Sequence, residues 1–146
     1  MTREDPLVNT GLATGTARRH WLYRAMKPTS RNEPVCETSG RGLGVRVPRD
    51  IACTPSGTVL PATGGMSVAP NDPKHLPPHR RPLALKGLGR DPVFTVRESI
   101  LLSSLRYRPD PARPQQHGFI EPATEVALST FQGALCDTRS SWRRLP

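Results

Sequence analysis

Aromatic side chains supply only 5% of the 146 residues. Basic residues are therefore not interleaved with the stacking platform that RNA-reading sheets use. Cysteine is scarce as well, at three positions, Cys36, Cys53 and Cys136. They are odd in number and far apart, and no pair has C-x-x-C spacing. That excludes a zinc knuckle or a dithiol redox site, and makes free or packed thiols the expectation rather than a disulfide framework. Apolar runs are a few residues long, far below the roughly 20 needed to span a bilayer. Leu, Ile, Val and Phe make up about 21% of the chain, just above the level of roughly 20% that marks disorder. With 17 prolines and 12 glycines, a large helical bundle is excluded, because helix interiors cannot absorb that many breakers. Residues 1–16 lack the apolar core of a signal peptide, and Arg18-Arg19 is not followed by one. The expected location is the producer's cytoplasm, and any export would use a route without a cleavable leader.

What is abundant is arginine. Lys and Arg total 21 against 12 Asp and Glu, a formal charge of +9, and only three of the basic residues are lysines. Arginine keeps its charge and offers a planar fork of donors that matches phosphate oxygens. A basic balance this strong points to an anionic partner: a nucleic acid, a dinucleotide or an acidic protein.

Residues 1–19 are polar and aperiodic, and read as a mobile N-terminal extension. Residues 20–146 then form one domain, in keeping with the usual size of roughly 100–150 residues. Five stretches read as strands: Trp21 to Met26, Leu43 to Val47, Val93 to Val96, Leu105 to Arg108, and His117 to Glu121. Most are stopped by a proline. Residues 61–92 hold seven prolines and read as a long functional loop or a linker, interrupted by a turn and a short extended piece at Thr63-Gly64-Gly65-Met66-Ser67-Val68. Near the end, Ser129 and Gln132 have capping-box spacing. Phe131, Leu135, Thr138 and Trp142 follow at helical spacing. A few short strands with one or two helices is an α+β pattern.

Several familiar sites are missing. Gly40-Arg41-Gly42-Leu43-Gly44 is not a dinucleotide fingerprint, and Lys86-Gly87-Leu88-Gly89-Arg90 lacks phosphate-loop spacing. His75 and His79 are four apart, but Pro77 and Pro78 between them prevent the helix that would align them on a metal. No metal site is expected. There is no G-x-S-x-G elbow and no protease cysteine signature, so nucleophilic hydrolysis is not expected either.

The order of motifs resembles a family of small bacterial cytotoxins delivered by type VI secretion, with an ADP-ribosyltransferase-like fold. The matching residues are Leu22-Tyr23-Arg24-Ala25, Thr63-Gly64-Gly65-Met66-Ser67-Val68, His79-Arg80-Arg81-Pro82, Leu105-Arg106-Tyr107-Arg108 and His117-Gly118-Phe119-Ile120-Glu121-Pro122-Ala123, followed by the terminal helix. The likeness covers roughly residues 21–142. It implies two small antiparallel β-sheets forming a cleft for NAD, which is the substrate and the only cofactor.

Carried over by position, the resemblance implies that Arg24 holds NAD phosphate or ribose and that Ser67, with Gly64 and Gly65, braces the cleft. His117 and Glu121 would be the catalytic pair. Phe119 stands where arginine-directed transferases carry the first acid of an E-x-E motif, and the paired tyrosines of the diphtheria-like pattern are absent. The chemistry is coherent all the same. Breaking the nicotinamide–ribose bond builds an oxocarbenium-like centre that a nearby carboxylate stabilises. His117 and Glu121, four apart on a strand, share a face. The implied function is transfer of ADP-ribose to a macromolecule, nucleic acid included, or breakdown of NAD, in the cytoplasm of a target cell. The implied partner is an immunity protein. The alternative that charge alone suggests is a non-enzymatic module that binds nucleic acid.

Overall fold

The computed structural model of the chain describes residues 20–146; the extension expected at residues 1–19 lies outside them. Among the described residues, nine strands and one α-helix build an α+β fold with two antiparallel sheets. The strands are β1 (Trp21–Ala25), β2 (Ile51–Cys53), β3 (Thr58–Gly64), β4 (Met66–Pro70), β5 (Val93–Arg97), β6 (Leu105–Pro109), β7 (Gly118–Pro122), β8 (Val126–Ala127) and β9 (Arg143–Arg144). The helix α1 (Leu128–Asp137) follows β8 directly. The larger sheet has the order β6-β7-β4-β1-β5-β9, the smaller β2-β3-β8. Among the described residues no helix is long and apolar enough to cross a membrane.

Alternation explains which face of each strand is buried. On β1, Leu22 is fully buried and pairs with Val96 of β5. On β7, Ile120 is buried and opposes Met66 of β4 and Tyr107 of β6. These side chains meet Phe131 and Leu135 from α1, and Trp142 beyond it, in one apolar cluster. Burying one such side chain is worth about 1.5–3 kcal/mol, so this cluster carries the fold. The Trp142 indole N–H donates to Thr138 Oγ1 at 2.9 Å, which allows the ring to be buried without an orphaned donor.

β3 runs straight into β4 through Gly64 and Gly65, at φ 127° and 156°. A Cβ at Gly64 would strike the Asp50 carbonyl oxygen, and one at Gly65 the Ile120 carbonyl oxygen. Two glycines are therefore what lets the chain pass from the small sheet to the large one in a single step.

Three expectations are corrected. Leu43 to Val47 is not a strand. Leu43 and Val45 are buried as an alternating strand would bury them, but the backbone of Val45 is satisfied by a side chain instead of a neighbouring strand. Gln132 Oε1 accepts the Val45 N–H at 3.1 Å, and its Nε2 donates to the Val45 carbonyl at 2.9 Å. For the same reason Ser129 and Gln132 do not form a capping box. The helix begins at Leu128 with Ala127 as its N-cap, without a side-chain cap, and the amide of Gln132 is committed to Val45. The third correction concerns thiols. Cys36 and Cys136 form a disulfide, with Cα atoms 5.5 Å apart although the two are 100 positions apart in sequence. The fold brings the loop after β1 onto the end of α1, a closeness that sequence spacing did not reveal. Cys53 remains a free thiol.

The proline-rich stretch is no linker. It holds β4 and two short 3-10 turns, Pro73–His75 and Leu83–Leu85. Asp72 caps the first, its carboxylate accepting the Lys74 N–H at 2.8 Å, and the stretch folds back over the end of the large sheet.

A cationic pocket where two strands part

The ladder between β1 and β4 stops at Tyr23↔Ala69, although the same register continued would bring Arg24 to Val68. The strands part instead, and a cavity of about 250 Å³ opens there. Its wall takes Arg24 from β1 and Ser67 from β4, with Arg46 and Asp50 from the loop before β2. His75, His79 and Arg80 come from the proline-rich segment, and Arg113, Gln116 and His117 from the β6–β7 connection.

Arg24 is the structural keystone of this wall. Its Nη1 donates to the Ser67 carbonyl at 2.8 Å, replacing the lost ladder bond, while Nε and Nη2 donate to the Gly42 carbonyl at 3.1 and 2.9 Å. Only 8% of Arg24 is exposed. Burial, with Arg80 nearby, pushes its guanidinium down to about 10, so it remains a cation at neutral pH.

The wall is strongly biased in charge. Asp50 is its one acid among the described residues, and that carboxylate is taken up by Arg46, at 3.0 Å from Nε and 3.1 Å from Nη2. Arg80 donates to the Gly40 carbonyl and lies 3.7 Å from Asp91, whose carboxylate is already held in a two-point grip by Arg41. That grip comes first among the forces holding Asp91 below the usual carboxylate range. Arg24, Arg80 and Arg113 thus give the cavity an excess of positive charge between low-dielectric walls, which concentrates anions.

Three adjacent strands bring a hydroxyl, an imidazole and a carboxylate into line. The β6–β7 ladder ends at Pro109↔Gly118, so Asp110 and His117 flank the connecting loop, closed by the Asp110 N–H donating to the His117 carbonyl at 2.9 Å. The Asp110 carboxylate lies 2.8 Å from His117 Nδ1, and Ser67 Oγ lies 3.2 Å from His117 Nε2. The hydrogen bond from His117, aided by the Ala112 N–H, holds the Asp110 carboxyl below its ordinary value. With Nδ1–H given to a carboxylate, the neutral ring presents Nε2 as an acceptor to Ser67.

The residues singled out in the sequence are therefore divided. Arg24, Ser67 and His117 share the pocket. Gly64 and Gly65 are not among its lining residues and serve as the joint between sheets. Glu121 is likewise absent from the wall. It projects from the same face of the large sheet as Ser67 and Phe119, since Ser67 pairs with Phe119, but β3 covers it and none of it is exposed. Arg106 Nε donates to Glu121 Oε2 at 2.6 Å, and Arg108 Nε and the Ala62 N–H donate to Oε1 at 2.8 and 2.9 Å. Burial works to raise the Glu121 carboxyl, yet these donors outweigh it and hold the pKa down. Its bonding capacity is largely spent on the two arginines of β6 in its own sheet, with the Ala62 N–H of β3 tying it to the small sheet.

Sequence reasoning missed Asp110 and Arg113. The signal that could have found Asp110 is its position, one residue past a strand-ending proline and seven before His117, which is where a hairpin loop closes. No family model, curated protein or solved structure matches this chain.

Proposed function

We propose that this chain is an NAD-dependent toxin domain with an ADP-ribosyltransferase-like fold, transferring ADP-ribose to a macromolecular target or cleaving NAD. The observation that carries the reading is the convergence of Arg24, Ser67 and His117, from three separate strand motifs, on one cationic cavity. A pyrophosphate is dianionic; Arg113 offers it forked, charge-assisted hydrogen bonds, and Arg80, already donating to the Gly40 carbonyl, adds positive charge. A cavity of about 250 Å³ lies near the lower end of ligand sites, roughly 300–1,000 Å³. It suits the phosphate-bearing part of a dinucleotide, with the remainder across its open mouth.

Within this reading, loss of nicotinamide leaves an oxocarbenium-like ribose whose C1′ is then captured by an acceptor hydroxyl, amine or water. The one carboxylate in the wall among the described residues, Asp50, is held by Arg46 and would have to share that partner to stabilise the cation. Glu121 acts at one remove, fixing the register of the strand that carries His117. Action inside a target cell, and a cognate immunity protein that covers this pocket, belong to the same proposal.

Calorimetric titration with NAD tests it. We expect saturable heat for the wild type, strongly weakened in Arg113→Glu, and release of nicotinamide on longer incubation. No binding at millimolar NAD overturns the reading. If that result came with salt-sensitive binding of RNA or DNA, in which bound phosphates release counterions, the basic module that charge alone suggests would take its place.

A further inference from the structure

The line of Ser67, His117 and Asp110 goes beyond binding a nucleotide. Ser67 lies on β4, while His117 and Asp110 stand one residue beyond the paired ends of β7 and β6, strands adjacent in the order β4, β7, β6. The closing pair Pro109↔Gly118 and the bond from the Asp110 N–H to the His117 carbonyl hold their spacing. Asp110 Oδ1 also accepts the Ala112 N–H at 2.9 Å, which leaves Oδ2 aimed at His117. The hydroxyl at the end of the line is exposed and opens into the cavity. A hydroxyl within reach of a base, with that base oriented by a third group, is the arrangement that activates an oxygen nucleophile.

We infer that Ser67 is a nucleophile, activated by His117 and positioned through Asp110, in an esterase-type site for small esters that carry a negative charge. Ser67 Oγ attacks the ester carbonyl carbon while its proton passes to His117 Nε2. The carbon–oxygen bond to the alcohol then breaks, and the alcohol leaves with that proton. Water attacks the acyl-serine, giving a proton to Nε2 that returns to Ser67 Oγ as the acid departs. The sum is ester plus water to acid plus alcohol, with no redox partner. The arginines select the substrate: they reward a carboxylate or phosphate on the ester and give a neutral one nothing.

The test needs no NAD, so its outcome stands apart from that of the NAD titration. The intact chain is incubated with a fluorophosphonate reagent and the adduct is located by mass spectrometry. Ser67 should be labelled, and Ser67→Ala should not. On 4-nitrophenyl hemisuccinate, Asp110→Asn should lower kcat by about 10³–10⁴-fold with little change in KM, the signature of a mis-set tautomer. Arg113→Ala should raise KM for the hemisuccinate but not for 4-nitrophenyl acetate. Ser67 remaining unlabelled in the wild type overturns the inference. So does hydrolysis by Ser67→Ala at the wild-type rate.

Discussion

Arg24 Nη1 lies 2.8 Å from the carbonyl oxygen of Ser67, bridging two strands at the point where their own hydrogen bonding ends. One side chain thereby closes a gap in the sheet and forms the floor of the pocket that the gap creates. A residue with this double duty links stability to binding, and the consequences can be measured.

Replacing Arg24 by Ala leaves the Gly42 and Ser67 carbonyls without their donor in a buried place. Hydrogen bonds from a charged group contribute roughly 1.5–3 kcal/mol each. We expect a loss of about 3 kcal/mol in urea denaturation, with Arg24→Lys recovering only part of it, because an ammonium cannot span both carbonyls as a planar fork does.

Acid sensitivity follows from Glu121. Its folded pKa lies below the ordinary value of 4.5. The stabilisation is therefore complete above about pH 4.5, and is lost as pH falls through the lower folded value. Glu121→Gln should flatten that acid limb. At pH 7 it should cost about 3 kcal/mol, since Arg106 and Arg108 lose the carboxylate they share. Denaturation midpoints collected from pH 3 to 7 for both proteins would show the two curves converging in acid.

The disulfide between Cys36 and Cys136 closes a loop of about 100 residues, for which chain entropy gives an upper figure near 4.7 kcal/mol. Reduction, or the Cys36→Ser and Cys136→Ser double variant, should lower stability by about 2–4 kcal/mol. The same loop carries Gly42, so ligand affinity at the pocket should fall along with the melting temperature.

Gln132→Ala should be costly for an apparently ordinary helix residue. It strips both the donor and the acceptor from Val45, and a loss of about 1–2 kcal/mol is expected. Hydrogen exchange would show the Val45 amide losing protection before its neighbours do.

The strands most legible in the sequence were short apolar or alternating runs, such as Trp21–Ala25, Val93–Arg97 and Leu105–Pro109, the first and last stopped by a proline. β3 carries Pro61 inside it, and β8 and β9 are two residues each, so pattern reading passes over all three. At Leu43 to Val47 the alternation correctly marked the burial of Leu43 and Val45, though Val47 is exposed. It could not reveal that a glutamine amide, 87 positions away, would stand in for a strand. The pocket was legible in part, through Arg24, Ser67 and His117. Asp110 and the Cys36–Cys136 pairing depend on closeness in space that arises only once the hairpin and the helix have docked. Glu121 was correctly placed on the face shared with His117, but the crossing of β3 over it, which removes it from solvent, is a tertiary event with no local mark.

The passage through Gly64 and Gly65 makes the two sheets a single mechanical unit. Ser67 sits three residues beyond Gly64, and a slip of one position along β4 would turn its hydroxyl from the cavity into the hydrocarbon interior. The glycine joint on one side and the twofold arginine grip on Glu121 on the other prevent such a slip. The aim of the reactive oxygen is thus set by parts of the molecule that never touch a ligand, and damage there would silence the pocket while leaving every group in its wall chemically intact.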